Sequence, residues 1–102
     1  MDRKQRIFDL LADNPQDPFL HFALAKEYEK ENKQDEALTA YKKLVAEFPD
    51  YVGTYYHLGK LYERQNDPDR AADVYEAGMK IARAQGDNHS YSELAGAKMI
   101  LE

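Results

Sequence analysis

Apolar residues recur every three or four positions along nearly the whole chain, and no segment shows sustained alternation of apolar and polar residues. The first pattern is typical of amphipathic α-helices, and the missing alternation argues against half-buried strands. Polar stretches rich in Asn, Asp, Pro and Gly interrupt the pattern and indicate helix breaks. We therefore predict an all-α fold with six helices, near residues 3–13, 18–31, 34–48, 52–65, 68–85 and 91–101.

The starts of three predicted helices carry residues suited to capping. Two Asp-Pro pairs, at 17–18 and 67–68, place a carboxylate that accepts a backbone N–H before a proline that needs no hydrogen bond in the first turn. Ser90 and Glu93 have the spacing of a capping box, which predicts that Ser90 caps the last helix.

The chain contains an internal repeat of 34 residues. Asn32 and Asn66 are 34 positions apart and both follow predicted helices, where asparagine tolerates the left-handed backbone. Residues 18–51 align with residues 52–85 without a gap, and the helix breaks stay in register. The identical pairs are Leu24/Leu58, Lys26/Lys60, Tyr28/Tyr62, Glu29/Glu63, Asn32/Asn66, Asp35/Asp69, Ala37/Ala71 and Tyr41/Tyr75.

This repeat resembles the tetratricopeptide repeat family, in which helix–turn–helix units carry small and aromatic residues at fixed places. The matching residues are Leu24, Ala25, Tyr28, Ala37, Tyr41 and Pro49 in the first repeat, and Tyr55, Leu58, Gly59, Tyr62, Ala71 and Tyr75 in the second. The resemblance, to a small stand-alone member of bacterial type, implies a right-handed α-solenoid of antiparallel helix pairs.

Four positions depart from the family pattern. His21 stands in place of a large aromatic residue, and Leu44 and Gly78 stand in place of alanine. Arg83 replaces the closing proline, so we expect the fifth helix to continue to about residue 85 before Gly86 ends it.

The repeat predicts a single domain whose helix pairs bury their apolar faces by stacking. Its parts are an N-terminal half-repeat helix in 1–16, repeats in 18–51 and 52–85, and a C-terminal capping helix in 86–102, and we expect a self-contained small protein. The closing faces are Ile7, Phe8, Leu10 and Leu11 in the first helix and Leu94, Ala97, Ile100 and Leu101 in the last. Small residues at close helix contacts are predicted to be Ala25, Ala37, Gly59 and Ala71.

Beside the stacking face, the first helix of each repeat carries a second stripe. Its members are Phe19, Phe22, Lys26 and Glu29 in the first repeat and Gly53, Tyr56, Lys60 and Glu63 in the second. The resemblance implies that this face lines a concave groove, and aromatic residues beside lysines suit an extended peptide or a helix with an acidic group. The candidate peptide-binding residues are Phe19, Phe22, Lys26, Tyr56, His57, Lys60 and Arg64. Alternatively, the aromatic residues pack on the N-terminal segment or on another copy of the chain.

Composition narrows the classes of partner. The chain has 14 basic and 19 acidic residues, a net charge of −5, which argues against nucleic-acid binding. It has no cysteine, and its N-terminus lacks an apolar core long enough for secretion or a membrane span. We therefore expect a cytoplasmic protein without a membrane partner.

The sequence offers no recognisable catalytic or metal-binding arrangement. Only His21, His57 and His89 titrate near neutral pH. His21 is predicted to be packed in the core, His57 to lie at the groove edge and His89 to be solvated in a linker. No two histidines have the spacing of a metal pair, and no glycine loop suits a phosphate. We expect no enzyme activity, no cofactor and no metal.

These features predict a protein–protein interaction module, or adaptor, that binds a short peptide or a helical segment of a partner, and the two lysines favour an acidic partner. The alternative is a structural, self-associating scaffold that forms homo-oligomers and has no peptide ligand. A chaperone adaptor is disfavoured, because the asparagines that the family places beside such lysines as Lys26 and Lys60 are missing.

Overall fold

The computed structural model describes residues 2–102, and this range contains six α-helices and no strand. They are α1 (Arg3–Asp13), α2 (Pro18–Lys30), α3 (Gln34–Glu47), α4 (Gly53–Arg64), α5 (Pro68–Gln85) and α6 (Asn88–Ile100). The chain divides into two compact units, the first ending at Phe48 with α1–α3 and the second running from Pro49 to Glu102 with α4–α6. The all-α prediction is confirmed.

Both Asp-Pro starts act as predicted. In α2 the Asp17 carboxylate accepts the N–H of Phe19 at 3.0 Å. In α5 the Asp67 carboxylate accepts the N–H of Arg70 at 3.1 Å and its guanidinium at 2.8 Å. The hydrogen bonds from the Arg70 backbone and side chain hold the pKa of Asp67 below its usual value.

The predicted start of α6 was wrong. Asp87 caps this helix, because its carboxylate accepts the N–H of Ser90 at 3.0 Å and the Ser90 hydroxyl at 2.7 Å. Asp87, a charged acceptor three residues earlier, therefore takes the capping position that the capping-box spacing assigned to Ser90. The hydrogen bonds from Ser90 lower the pKa of Asp87. His89 consequently lies in the first turn of α6, not in a linker, although it is exposed as expected.

Three helices end in the same way, with one residue in the left-handed conformation. Asn32, Asn66 and Gly86 have φ angles of 60°, 61° and 69°. The next N–H binds a carbonyl five residues before it at 2.9 Å, in the pairs Lys33–Tyr28, Asp67–Tyr62 and Asp87–Ala82. These are Schellman ends. The predicted roles of both asparagines and the extension of α5 to Gln85 are confirmed.

In the first unit, α2 packs against both α3 and α1. The buried apolar residues are Ile7, Leu20, Ala25, Ala37, Tyr41 and Leu44. Ala25 and Ala37 have no accessible surface, as expected at a close helix contact. The predicted closing face of α1 is only partly buried, since Ile7 is covered whereas Phe8 and Leu10 are exposed.

In the second unit, α5 packs against both α4 and α6, and two glycines allow this approach. A Cβ atom on Gly59 would lie 2.1 Å from a ring carbon of Tyr75. A Cβ atom on Gly78 would lie 2.5 Å from the Cβ of Tyr55 and 3.0 Å from a methyl carbon of Leu94. Gly59 thus has the predicted role, and the glycine at 78 is explained by contacts with two neighbouring helices.

The predicted apolar face of α6 is wrong at Ile100, whereas its other three residues are buried or partly buried. Leu94 and Ala97 are buried in the second unit. Ile100 is 79% exposed and Met99 is 67% exposed, so the last turn projects apolar side chains into solvent. The reason is that Ile100 lies about 120° from Leu94 around α6, whereas Leu101 lies close to the direction of Leu94 and is partly buried.

Gly59 provides a test of the close contact. We expect Gly59→Ala to lower the free energy of unfolding by about 1–3 kcal/mol, because the buried Tyr75 ring must move. The matched control is Gly96→Ala in α6, where an added Cβ meets nothing within 4 Å and should raise stability by about 0.5–1 kcal/mol. Urea unfolding followed by circular dichroism measures both, and equal effects of the two substitutions would contradict the packing.

A second test concerns the left-handed end of α4. Asn66→Ala should cost about 1–2 kcal/mol, because an alanine Cβ is strained at a φ of 61°. Asn66→Gly should change stability by only a few tenths of a kcal/mol, since glycine adopts this conformation freely. Thermal unfolding of the two variants compares them directly. A glycine variant as unstable as the alanine variant would show that the asparagine side chain, not the backbone, matters.

Candidate functional site

Each unit carries one copy of the predicted stripe of aromatic and charged residues. The α2 stripe consists of Phe19, Phe22, Lys26 and Glu29, and the α4 stripe consists of Gly53, Tyr56, Lys60 and Glu63. Most of these side chains are partly exposed, so they border the core without being part of it. The contacts of each copy are described within its own unit.

A buried tyrosine holds the glutamate of each stripe. In the second unit the Tyr75 hydroxyl of α5 donates a hydrogen bond to the Glu63 carboxylate of α4. In the first unit the Tyr41 hydroxyl of α3 donates in the same way to Glu29 of α2. Neither tyrosine ring has accessible surface. Burial raises the pKa of Tyr75 above its usual value, and the hydrogen bond to Glu63 adds to the rise.

The same buried tyrosines support the aromatic residues of the stripes. The Phe22 ring lies 6.2 Å from the Tyr41 ring between centroids, and the Tyr56 ring lies 6.4 Å from the Tyr75 ring. These tilted arrangements are favourable for aromatic pairs. Phe22 and Tyr56 are therefore fixed on one edge by the core and open to solvent on the other.

On α4, a lysine and an aromatic ring come together as predicted. The Lys60 Nζ lies 5.4 Å from the centroid of the Tyr56 ring, which is a cation–π distance, and 3.6 Å from the Glu63 carboxylate. Tyr56, Lys60 and Glu63 thus form one contiguous surface.

Of the remaining candidate residues, two lie on α4 and one lies in the first unit. The His57 ring stands edge-on to Tyr56 with centroids 5.7 Å apart. Arg64 is exposed at the end of α4, and its charge partly offsets the rise in the pKa of Tyr75. Lys26 is partly buried at the α2 position equivalent to Lys60.

Phe19 has a different environment from the other stripe residues. It is 59% exposed and, with Leu10 and Arg6, lines a cleft of about 260 Å³ between α1 and α2. This position agrees with the alternative interpretation, in which an aromatic residue faces the N-terminal helix.

The histidine that departs from the family pattern performs the same task as the tyrosine at the equivalent position. The Tyr55 hydroxyl donates to the Pro49 carbonyl oxygen at 2.5 Å, and the His21 Nε2 donates to the Pro15 carbonyl oxygen at 2.8 Å. His21 also packs against Phe48, with ring centroids 5.5 Å apart. The prediction of a packed histidine is confirmed.

Two other features are not found among the described residues. Within residues 2–102, no group of three or more His, Asp or Glu side chains is placed to hold a metal ion. Over the same range, none of the helices combines the length and the apolar character that crossing a bilayer requires.

The match to a family model now decides the assignment of the fold. The tetratricopeptide repeat model matches residues 22–88, from within α2 to the first residue of α6, and this range includes both stripes except Phe19. The chain belongs to the tetratricopeptide repeat family. Its fold is accordingly of the α-solenoid class, and proteins of this family are typically non-enzymatic scaffolds that bind other proteins.

Solved structures of other tetratricopeptide repeat proteins resemble this one. A solution structure of a tetratricopeptide repeat domain protein from Salinibacter ruber is 49% identical, covers 86% of this chain and 89% of that chain, and has a TM-score of 0.83. A crystal structure of a tetratricopeptide repeat domain protein from the same organism is 48% identical and has a TM-score of 0.80. The match covers 84% of this chain and 96% of that chain.

A protein from Bordetella parapertussis is 27% identical, covers 99% of this chain and 88% of that chain, and has a TM-score of 0.82. A comparison with curated proteins found no match.

Inspection of the sequence did not identify the tyrosine–glutamate pairs of this tetratricopeptide repeat protein. The signal was present, because both partners are identical in the two repeats at a spacing of 12 residues, Glu29 with Tyr41 and Glu63 with Tyr75. Because both partners recur at the same spacing, this pair of positions was a candidate for a contact between the two helices of each repeat. The cleft between α1 and α2 had no such signal, since α1 has no complete counterpart in the repeat.

Tyr75 provides a test of the support beneath the α4 stripe. We expect Tyr75→Phe to lower stability by about 1.5–3 kcal/mol at neutral pH, because the hydrogen bond that the Tyr75 hydroxyl donates to the charged Glu63 carboxylate is lost. The folded-state pKa of Tyr75 is raised, so its stabilising contribution is complete below about pH 10 and is lost as pH rises further. The difference between wild type and variant should therefore shrink above about pH 10.

Urea unfolding between about pH 7 and pH 11 measures this difference. Tyr56→Phe is the matched control, because its partly exposed ring lies beside the pair but takes no part in it. A wild-type advantage over Tyr75→Phe that stays constant across the alkaline range would contradict the assignment.

Proposed function

We propose that the protein is an interaction module that binds a short peptide or a helical segment of a partner protein on its stripes, the α4 stripe of the second unit and the equivalent α2 stripe of the first, each taken as a surface of its own unit. The observation that carries this proposal is the surface of Tyr56, Lys60 and Glu63, in which an aromatic ring and a cation lie side by side and remain partly exposed. Tyrosine is enriched among the residues that dominate interface energetics.

The buried tyrosines make such a surface suited to binding. The Tyr41 ring packs against Phe22, and the Tyr75 ring packs against Tyr56. Each of these tyrosines also donates a hydrogen bond to the glutamate of its stripe. A ring that is already held in place loses little freedom when a partner covers it, so more of the contact energy remains as affinity.

The charge of the stripes favours an acidic partner. The two lysines and two glutamates of the stripes balance, and the neighbouring Arg64 adds one positive charge. The stripes together with Arg64 therefore carry +1, which leaves −6 on the rest of a chain whose net charge is −5. A carboxylate would therefore meet the most favourable part of the surface. Since Lys60 already pairs with Glu63, the preference is moderate and the affinity should be about micromolar.

The proposal includes no catalytic step and no cofactor, and it places the interaction in the cytoplasm. In this role the module acts as an adaptor, because its own residues recognise one partner while the rest of its surface stays free for others.

The test is a charge reversal on both stripes. We expect Lys26→Glu combined with Lys60→Glu to remove most of the captured partner in affinity purification from the native lysate, because an acidic ligand is then repelled. Helicity and melting should change little, since partly exposed charges contribute little to stability. Phe22→Ala combined with Tyr56→Ala should weaken the same capture by removing the aromatic anchors.

The matched control is Lys42→Glu combined with Lys43→Glu, which makes the same change in net charge at two exposed positions of α3 outside the stripes. This control should capture the partner as wild type does. Equal capture by the stripe variant and the control would reject the proposal.

A second candidate function is a self-associating scaffold. It is favoured by large apolar side chains that remain exposed outside the α4 stripe, chiefly Leu10, Phe19, Met99 and Ile100. Peptide binding should weaken with salt, whereas self-association should grow with protein concentration.

A further inference from the structure

Two apolar patches, which share only Phe19 with the proposed peptide site, have complementary character. The α1–α2 cleft is lined by Arg3, Arg6, Ile7, Leu10 and Phe19, among others. The α6 end consists of Met99, Ile100, Leu101 and Glu102.

The α1–α2 cleft has an apolar floor and a cationic rim. Ile7 is buried at its base, whereas Leu10 is 49% exposed and Phe19 is 59% exposed. The volume of about 260 Å³ is below that of a typical small-molecule site and suits one or two large side chains.

The two arginines of the cleft differ in their pairing. The Arg3 guanidinium lies 2.7 Å from the Glu27 carboxylate, which neutralises it. The ion pairs within residues 2–102 do not include Arg6, whose side chain is exposed beside the cleft. The cleft thus favours a large aliphatic group followed closely by a carboxylate.

The α6 end presents such a combination. Ile100 and Met99 are 79% and 67% exposed, more than the other large apolar side chains of the described residues. Glu102 follows two positions after Ile100, and its carboxylate is 3.9 Å from the Lys98 ammonium, a long and exposed contact. The carboxylate can therefore turn to another cation at little cost.

We propose that the α6 end of one copy docks into the α1–α2 cleft of a second copy, with Ile100 against Leu10 and Phe19 and with Glu102 opposite Arg6. A second copy is the favoured occupant because each chain carries both complementary patches. Opposite charges at the contact also offset the repulsion between two copies that each carry −5. A foreign acidic segment would need to reproduce the same aliphatic and acidic pair.

The proposed contact joins two different patches, so it is heterologous, and a pair of copies leaves one cleft and one α6 end free. Copies can then add head to tail. The contact rests on few side chains, so it should be weak, with dissociation constants of about 0.1–1 mM.

The inference is independent of the proposed peptide site. Arg6, Leu10, Ile100 and Glu102 lie outside both stripes, and Phe19, the one residue common to the cleft and the α2 stripe, is left unchanged in the test. Loss of self-association with unchanged peptide capture, or the reverse, distinguishes the two ideas.

The experiment is sedimentation velocity on purified protein from about 10 µM to about 1 mM. The average mass of wild type should rise with concentration. Leu10→Asp blocks the cleft and Ile100→Asp blocks the α6 end, so each variant alone should stay monomeric. Both positions are substantially exposed, and circular dichroism verifies that each variant is folded.

Mixing the two variants in equal amounts gives the decisive result. The Leu10→Asp chain still offers an α6 end and the Ile100→Asp chain still offers a cleft, so the mixture should form a species of two chains and nothing larger. Phe8→Asp, which places the same charge on an exposed part of α1 outside the cleft, should associate as wild type does.

Charge exchange tests the polar half of the contact. Arg6→Glu and Glu102→Arg should each weaken association severalfold, and the two substitutions combined in one chain should restore it. Wild type that remains monomeric up to about 1 mM would overturn the proposal and leave the cleft to a different partner. A variant mixture that stays monomeric while wild type associates would likewise overturn it, because another interface would then be responsible.

Discussion

The contact between Gly59 of α4 and the ring of Tyr75 in α5 is the constraint on which the second unit depends. Without a Cβ at residue 59, the ring lies directly against the α4 backbone, and its hydroxyl reaches Glu63 one turn further along. Glu63 in turn lies beside Lys60, and the same ring supports Tyr56. One close approach between helices thus positions the core and the candidate binding surface together.

The first unit reaches the same result with different side chains. Ala25 occupies the position equivalent to Gly59 and has no accessible surface, and Tyr41 takes the place of Tyr75. At another equivalent pair, His21 and Tyr55 donate from different atoms to the carbonyl of a proline six residues earlier. The repeat therefore preserves a donor and an acceptor, and the residue type that supplies the donor varies.

The surface that remains after packing is divided by charge and polarity. The stripes combine aromatic rings with cations that are already partly paired, which suits a partner of moderate affinity. The α1–α2 cleft and the α6 end are more apolar and more exposed, and they lie where the repeat pattern stops. Repeat proteins commonly require special terminal faces, because the outermost repeat lacks a neighbour to cover it.

The sequence by itself determined the helices, the repeat and the family resemblance, because these depend on local spacing and on side chains that recur every 34 residues. It also predicted the left-handed Asn32 and Asn66, whose conformation is a property of single residues. The sequence did not show which of two nearby residues caps α6. The spacing of Ser90 indicated that Ser90 does, but Asp87 has this role.

Only the tertiary structure decided which side chains on the helix surfaces make contacts with a neighbouring helix and which remain exposed to solvent. Helical periodicity places Glu63 and Lys60 on one face, but the hydrogen bond from Tyr75 requires a second helix at a defined distance. Likewise, Ile7 and Leu10 lie about 60° apart around α1, yet only Ile7 is covered, because burial depends on where α2 packs. The spacing of side chains along a helix follows from the local sequence. Whether a side chain is buried depends on a different helix packing over it, so burial is seen only in the folded protein.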